Sequence, residues 1–144
     1  MTDDLYGLGR FIEAQQSVYE QALAEIRAGR KRTHWMWYVF PQFTGLGSSP
    51  TSVHYAIKSR DEAREYLAHP VLGRRLVECA EAVLQIPDRS AHAIFGSPDD
   101  MKLRSSATLF ASVSADGSVF QRVIDEFFDG APDQRTIELM AHSE

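Results

Sequence analysis

His34 stands at the edge of the most unusual stretch of the 144-residue sequence, His34-Trp35-Met36-Trp37-Tyr38-Val39-Phe40-Pro41-Gln42, which holds both tryptophans. An imidazole beside indoles has the makings of a general base with a shifted pKa, and an indole face can stack on a flat ligand. Plain core packing explains the same tryptophans. The loop that follows, Gly45-Leu46-Gly47-Ser48-Ser49-Pro50, would let a ligand approach the main chain, and free amides at a helix start hold phosphate or carboxylate readily. Its competing reading is an ordinary turn closed by a serine N-cap.

A second set of groups lies further along. Lys102 precedes by one helical turn a row of hydroxyls, Ser105, Thr108 and Ser112, that could contact a phosphate. Helical Ser and Thr also commonly bond the carbonyl four residues back. Gln15 interrupts an apolar stripe formed by Leu8, Phe11, Ile12, Tyr19, Ala22, Leu23 and Ile26. A buried amide without partners costs about 1–3 kcal/mol, so Gln15 must either bond backbone near Gln42 or help line a pocket. The expected site therefore has His34 as general base, with Gln15, Trp35, Trp37, Gln42, Gly45, Gly47, Ser48, Lys102, Ser105 and Thr108 binding the ligand.

Other chemistries are absent from the pattern. The five histidines never adopt the spacing of a paired helical zinc site, and Cys79 is the single cysteine, so neither a metal nor a disulfide is expected. Gly45-Leu46-Gly47 lacks the third glycine and the preceding strand of a dinucleotide fingerprint, and neither a Walker loop nor a Gly-x-Ser-x-Gly elbow occurs. No cofactor is implied. A net charge of −5 opposes a nucleic-acid role, which only Arg27, Arg30, Lys31 and Arg32 near the tryptophans favour. Those cations equally suit the negative end of a helix dipole. The start, Met1-Thr2-Asp3-Asp4, has no secretory character, and no apolar run approaches the roughly 20 residues that span a bilayer. A cytoplasmic address and no membrane partner are expected.

The elements that must position these groups read as helices. Apolar spacing predicts a first helix from Leu8 to about Ala28-Gly29 and a buried helix over His34 to Phe40. Ser49-Pro50 opens a short helix to about Ile57, and Ser59 with Glu62 makes a capping box for one ending near Ala68. His69-Pro70 starts a helix that stops before Pro87, with Cys79 on its core face. Ser97-Pro98 opens another to about Ser114, Ser118 with Gln121 caps a third, and a last one runs from Asp133 to about Ala141. The expectation is an all-α fold: one compact domain, residues 1–144, of about seven helices with short connections.

Several long motifs carry a family resemblance. They include Phe11-Ile12-Glu13-Ala14-Gln15, Gly29-Arg30-Lys31 leading to His34-Trp35-Met36-Trp37-Tyr38-Val39-Phe40-Pro41-Gln42, His69-Pro70-Val71-Leu72-Gly73 and Lys102-Leu103-Arg104-Ser105-Ser106. The chain resembles a family of small, mostly bacterial proteins catalogued as a domain of unknown function, some labelled calpastatin. The resemblance implies a small helical protein and brings no reaction, substrate or cofactor. Calpain inhibition does not carry over, because calpastatin acts through disordered segments and this sequence patterns as a packed domain.

The functional expectation is a protein that binds a small anionic ligand, a nucleotide or phosphorylated metabolite, between the His34–Ser49 segment and the Lys102–Thr108 helix. Hydrolysis or group transfer without metal is the matching reaction class. The alternative is a protein-interaction module or homo-oligomer without catalysis. The sequence does not specify an oligomeric state.

Overall fold

Five helices begin where a short polar side chain can satisfy an amide that has no partner inside its helix. The side chains of Ser49, Ser59, Ser90, Ser118 and Asp133 each accept a hydrogen bond from the backbone N–H three residues on. In the computed structural model, which describes residues 4–143, ten helices follow in order. They are α1 (Gly9–Gln16), α2 (Tyr19–Arg27), α3 (Met36–Val39), α4 (Pro50–His54), α5 (Arg60–Ala68), α6 (Leu72–Leu84), α7 (Ala91–Phe95), α8 (Asp99–Ser112), α9 (Val119–Phe127) and α10 (Gln134–His142). The all-α expectation holds, although three of the ten helices are only four or five residues long.

The count exceeds seven for local reasons. The single helix expected from Leu8 to Ala28 breaks at Ser17-Val18, where Val18 takes φ −125° and its N–H bonds the Gln15 carbonyl at 3.2 Å. The break lets α1 pack on α3 while α2 turns its apolar face to α6. The helix expected over His34 to Phe40 shrinks to the single turn α3. Phe40 leaves helical geometry at φ −121°, ψ 77°, as residues before proline tend to do. Ala91–Phe95 forms α7 under the Ser90 cap, and Pro98 sits at the N-cap of α8 rather than in its first turn.

Around Pro41 the chain runs extended into its one short pairing among the described residues. The Ile57 N–H donates to the Gln42 carbonyl at 2.8 Å and the Thr44 N–H to the Ile57 carbonyl at 2.9 Å, a lone parallel bridge. Arg10 fastens α1 beside it, bonding the His54 and Ala56 carbonyls and pairing with Glu62 at 2.6 Å. Glu62 bonds the N–H of Lys58, so only the Ser59 half of the expected capping box forms.

One hydrophobic cluster joins all this, from Leu8 and Phe11 through Trp35, Phe43 and Tyr66 to Phe110 and Met140. Helix α8 lies among α5, α7, α9 and α10, which buries Leu103, Leu109 and Phe110. Gly73 lets α6 approach α5: a Cβ there would stand 2.0 Å from the Leu67 carbonyl oxygen. Cys79 is fully buried, and burial pushes its thiol up to about 12, so it packs as a small apolar side chain. No helix among the described residues is long and apolar enough to cross a membrane.

Candidate functional site

The basic turn after α2 folds around one buried acid. The Glu25 carboxylate accepts hydrogen bonds from the N–H groups of Arg32 (2.7 Å) and Thr33 (3.0 Å), the Thr33 hydroxyl (2.7 Å), the Gln21 amide (2.8 Å) and the Trp35 indole (2.8 Å). Burial alone would raise its pKa. The hydrogen bonds outweigh burial and hold the carboxyl at about 2, well below the usual range. Residues 30–35 are thus wrapped onto the end of α2 by side-chain chemistry where regular structure is absent. Lys31 is anchored within the wrap by its own N–H, which bonds the Ile94 carbonyl of α7 at 2.7 Å.

Lys31 and Lys102 then meet on a single carboxylate. Lys31 Nζ lies 2.9 Å from Asp99 Oδ2, and Lys102 Nζ lies 3.1 Å from Asp99 Oδ1. The Lys31 side chain is only 7% exposed. Burial of Asp99 opposes its ionisation, but the two ammonium groups prevail and its pKa falls below the usual carboxylate value. Each lysine also faces an indole, Lys31 at 5.0 Å from the Trp35 ring centroid and Lys102 at 4.2 Å from that of Trp37. These groups border a cavity of about 350 Å³, within the usual range for small-ligand sites, whose lining includes Lys31, His34, Trp37, Ser49, Asp99 and Lys102. Two cations and one anion leave a formal charge of +1 while His34 is neutral.

With that geometry in view, comparison with known proteins decides the family. The model described as Protein of unknown function (DUF1810) matches residues 5–140. The chain belongs to the DUF1810 family. It is similar to the conserved hypothetical protein Rv1873 from Mycobacterium tuberculosis, known from a crystal structure. The two are 50% identical, with a TM-score of 0.94, over 96% of this chain and 99% of the other. No curated protein matches.

Within this DUF1810 chain the residues singled out from sequence divide into two groups. His34, Trp35, Trp37 and Lys102 come together at the cavity. Trp35 is 1% exposed and bonded to Glu25, so its role is mainly to hold the wall, while Trp37 is half-buried. The others lie elsewhere. Gln15 is buried, donates to the Tyr38 carbonyl at 2.7 Å and the Tyr66 hydroxyl at 3.1 Å, and accepts from Arg75. Gln42 is buried, its carbonyl accepting the Ile57 N–H and its side-chain amide nitrogen without a hydrogen-bond partner among the described residues. Gly45 takes φ +99° against Leu139, and Gly47 fits under Ser52, where a Cβ would come within 2.6 Å of the hydroxyl. Both glycines therefore have packing reasons. Ser48 is exposed, and its neighbour Ser49 reaches the cavity while capping α4. The Ser49 hydroxyl already satisfies the Ser52 N–H, so that amide of the expected cradle is taken up by the chain itself.

Ser105 and Thr108 turn the other way. The Ser105 hydroxyl reaches the Met101 carbonyl at 3.0 Å and Asp133 at 3.2 Å; Thr108 bonds the Arg104 carbonyl and accepts from the Asp133 N–H at 2.8 Å. This row fastens α8 to the start of α10. Lys31, Asp99 and Glu25 were missed as site residues. In the sequence Lys31 is one of four cations that suit a helix dipole, and Asp99 falls in the first turn of α8, where the dipole favours an acid. The readable signal was the Asp99–Lys102 spacing of three, which puts the pair on one helical face.

Proposed function

We propose that this protein binds a small anionic molecule, a nucleotide or other phosphorylated metabolite, in the cavity between residues 31–37 and the start of α8. The observation that carries the reading is the bridge of Lys31 and Lys102 on Asp99. Two ammonium groups are brought to one carboxylate at a concave surface with an aromatic wall, and the surplus charge is positive. Held charges of this kind recognise an anion without the cost of ordering long side chains on binding.

The site suits binding more directly than catalysis. His34 is exposed at the cavity edge, and among the described residues no hydrogen bond orients its ring. A general base is ordinarily positioned by a partner. Metal-free group transfer or hydrolysis, with His34 as base, is the reaction class the site would support once a ligand supplies that orientation.

A thermal-shift screen with nucleotides, cyclic nucleotides among them, sugar phosphates, ADP-ribose derivatives and simple carboxylates tests the proposal. A compound that binds only the folded chain at a hundredfold excess over its Kd adds about 2.7 kcal/mol of stability, a clear rise in midpoint. The expected result is at least one such compound whose effect vanishes in Lys102→Ala. No shift with any anion, or equal shifts in the variant, would remove the site.

A further inference from the structure

Resting on the binding site just proposed, we infer that its ligand carries a singly charged head presenting two free oxygens, a phosphodiester or a carboxylate, beside a flat ring. Terminal phosphomonoesters and polyphosphates are disfavoured. The inference comes from counting charges and protons at the lysines.

Each ammonium group has three N–H donors. Lys31 directs one to Asp99 Oδ2 at 2.9 Å and one to the Thr33 carbonyl at 2.5 Å, leaving one. Lys102 directs one to Asp99 Oδ1 at 3.1 Å, which leaves two, and its charge sits 4.2 Å from the centre of the Trp37 ring. At least one open donor on each of two lysines serves a head with two oxygens, one oxygen to each ammonium, and the choice against a more highly charged head rests on charge. The Asp99 carboxylate models the arrangement: its own two oxygens take one lysine each.

Charge selects further. Lys31 and Lys102 against Asp99 leave +1, which a monoanion neutralises. A phosphomonoester near −2 would place an excess negative charge next to the fixed carboxylate of Asp99. Asp99 thus both positions the lysines and rejects the more highly charged anion. The adjoining wall, Trp37 with Tyr38, presents aromatic surface to whatever is attached to the head. Lys102 already covers one face of the Trp37 ring, so the attached group meets the aromatic wall alongside the cation.

Calorimetric titration of the full chain with 3′,5′-cyclic AMP, benzoate, AMP, ATP and inorganic phosphate tests this. The variants are Lys102→Met and Asp99→Asn. At least one of cyclic AMP and benzoate is expected to bind about tenfold more tightly than AMP, ATP and phosphate, and to lose that binding in Lys102→Met. Binding of cyclic AMP alone assigns the head as a phosphodiester; binding of benzoate alone assigns it as a carboxylate. Asp99→Asn raises the local charge to +2, and the preference should move toward AMP. If AMP, ATP or phosphate binds wild type as tightly as the monoanions, the charge inference is overturned while the site stands. If nothing binds, or Lys102→Met binds like wild type, both are overturned. Should Asp99→Asn not fold, the wild-type series with Lys102→Met decides.

Discussion

The indole N–H of Trp35 donates to the Glu25 carboxylate across 2.8 Å, tying the aromatic segment to the helix that precedes the basic turn. Lys31 lies between these two residues in sequence, so the bond fixes one end of the anion site. It also makes the site's integrity depend on pH. Glu25 has a folded pKa of about 2, depressed from the ordinary carboxylate value. Its stabilisation is present above the unfolded pKa and is lost as pH falls toward the folded one. The contribution is on the order of 3 kcal/mol, disappearing between about pH 5 and pH 2. Urea unfolding at pH 7 and pH 3 should show it, and Glu25→Gln should be destabilised at pH 7 with a shallower decline on acidification. An unchanged pH profile in the variant would show that other carboxylates govern acid stability.

Gly47 should be intolerant of even one added carbon. A Cβ there would sit 2.6 Å from the Ser52 hydroxyl, 2.8 Å from its Cβ and 3.3 Å from Trp37 Cη2. Gly47→Ala is predicted to cost about 1–3 kcal/mol through overpacking and to shift tryptophan fluorescence as Trp37 is displaced. A variant with wild-type stability and emission would mean the loop moves aside freely.

Asp133 should separate structure from binding. Its carboxylate caps α10 by accepting the Thr136 N–H at 3.0 Å and also receives the Ser105 hydroxyl. Asp133→Ala is expected to lower stability by about 1–2 kcal/mol, the usual value of a lost N-cap. Any ligand affinity should stay within about twofold of wild type. A large loss of affinity would put the Ser105 and Thr108 row back into the site.

Much of the helical pattern was legible because its signals are local. Ser49, Ser59, Ser118 and Asp133 announce helix starts by hydrogen bonds that span three residues. The break at Ser17-Val18 left no such mark, since the stripe from Leu8 to Ile26 continues through it and only the different partners of α1 and α2 demand the bend. The site was half legible. His34, Trp37 and Lys102 could be named by chemical type, but their meeting depends on Lys31 reaching Asp99 and on the Glu25 wrap, long-range contacts that no spacing rule predicts. Gln15 and Gln42 look alike as buried polar residues beside apolar runs, but only the Gln15 amide is satisfied, by the Tyr38 carbonyl and the Tyr66 hydroxyl, while the Gln42 amide nitrogen is buried without a hydrogen-bond partner among the described residues. Buried amides meet backbone more often than ligands.

Lys102 links the site to the rest of the molecule at little structural cost. Its pair with Asp99 is partly exposed, and removing such a pair changes stability by at most about 1 kcal/mol. Lys102→Met should therefore remain folded, with an unfolding midpoint within a few degrees of wild type in a thermal scan. Collapse of the variant would show that the ion pair carries the packing of α8 against residues 31–37.

The central claim is that an anion binds at Lys31 and Lys102 beside Trp37. The most direct measurement follows the two indole N–H resonances by two-dimensional NMR while cyclic AMP, benzoate, AMP or inorganic phosphate is added in turn to wild type and Lys102→Met. The account predicts a saturable shift of the Trp37 signal in wild type, a much smaller shift for Trp35, whose N–H stays bonded to Glu25, and neither change in Lys102→Met. A Trp37 signal that stays in place, or that moves equally in the variant, would contradict it.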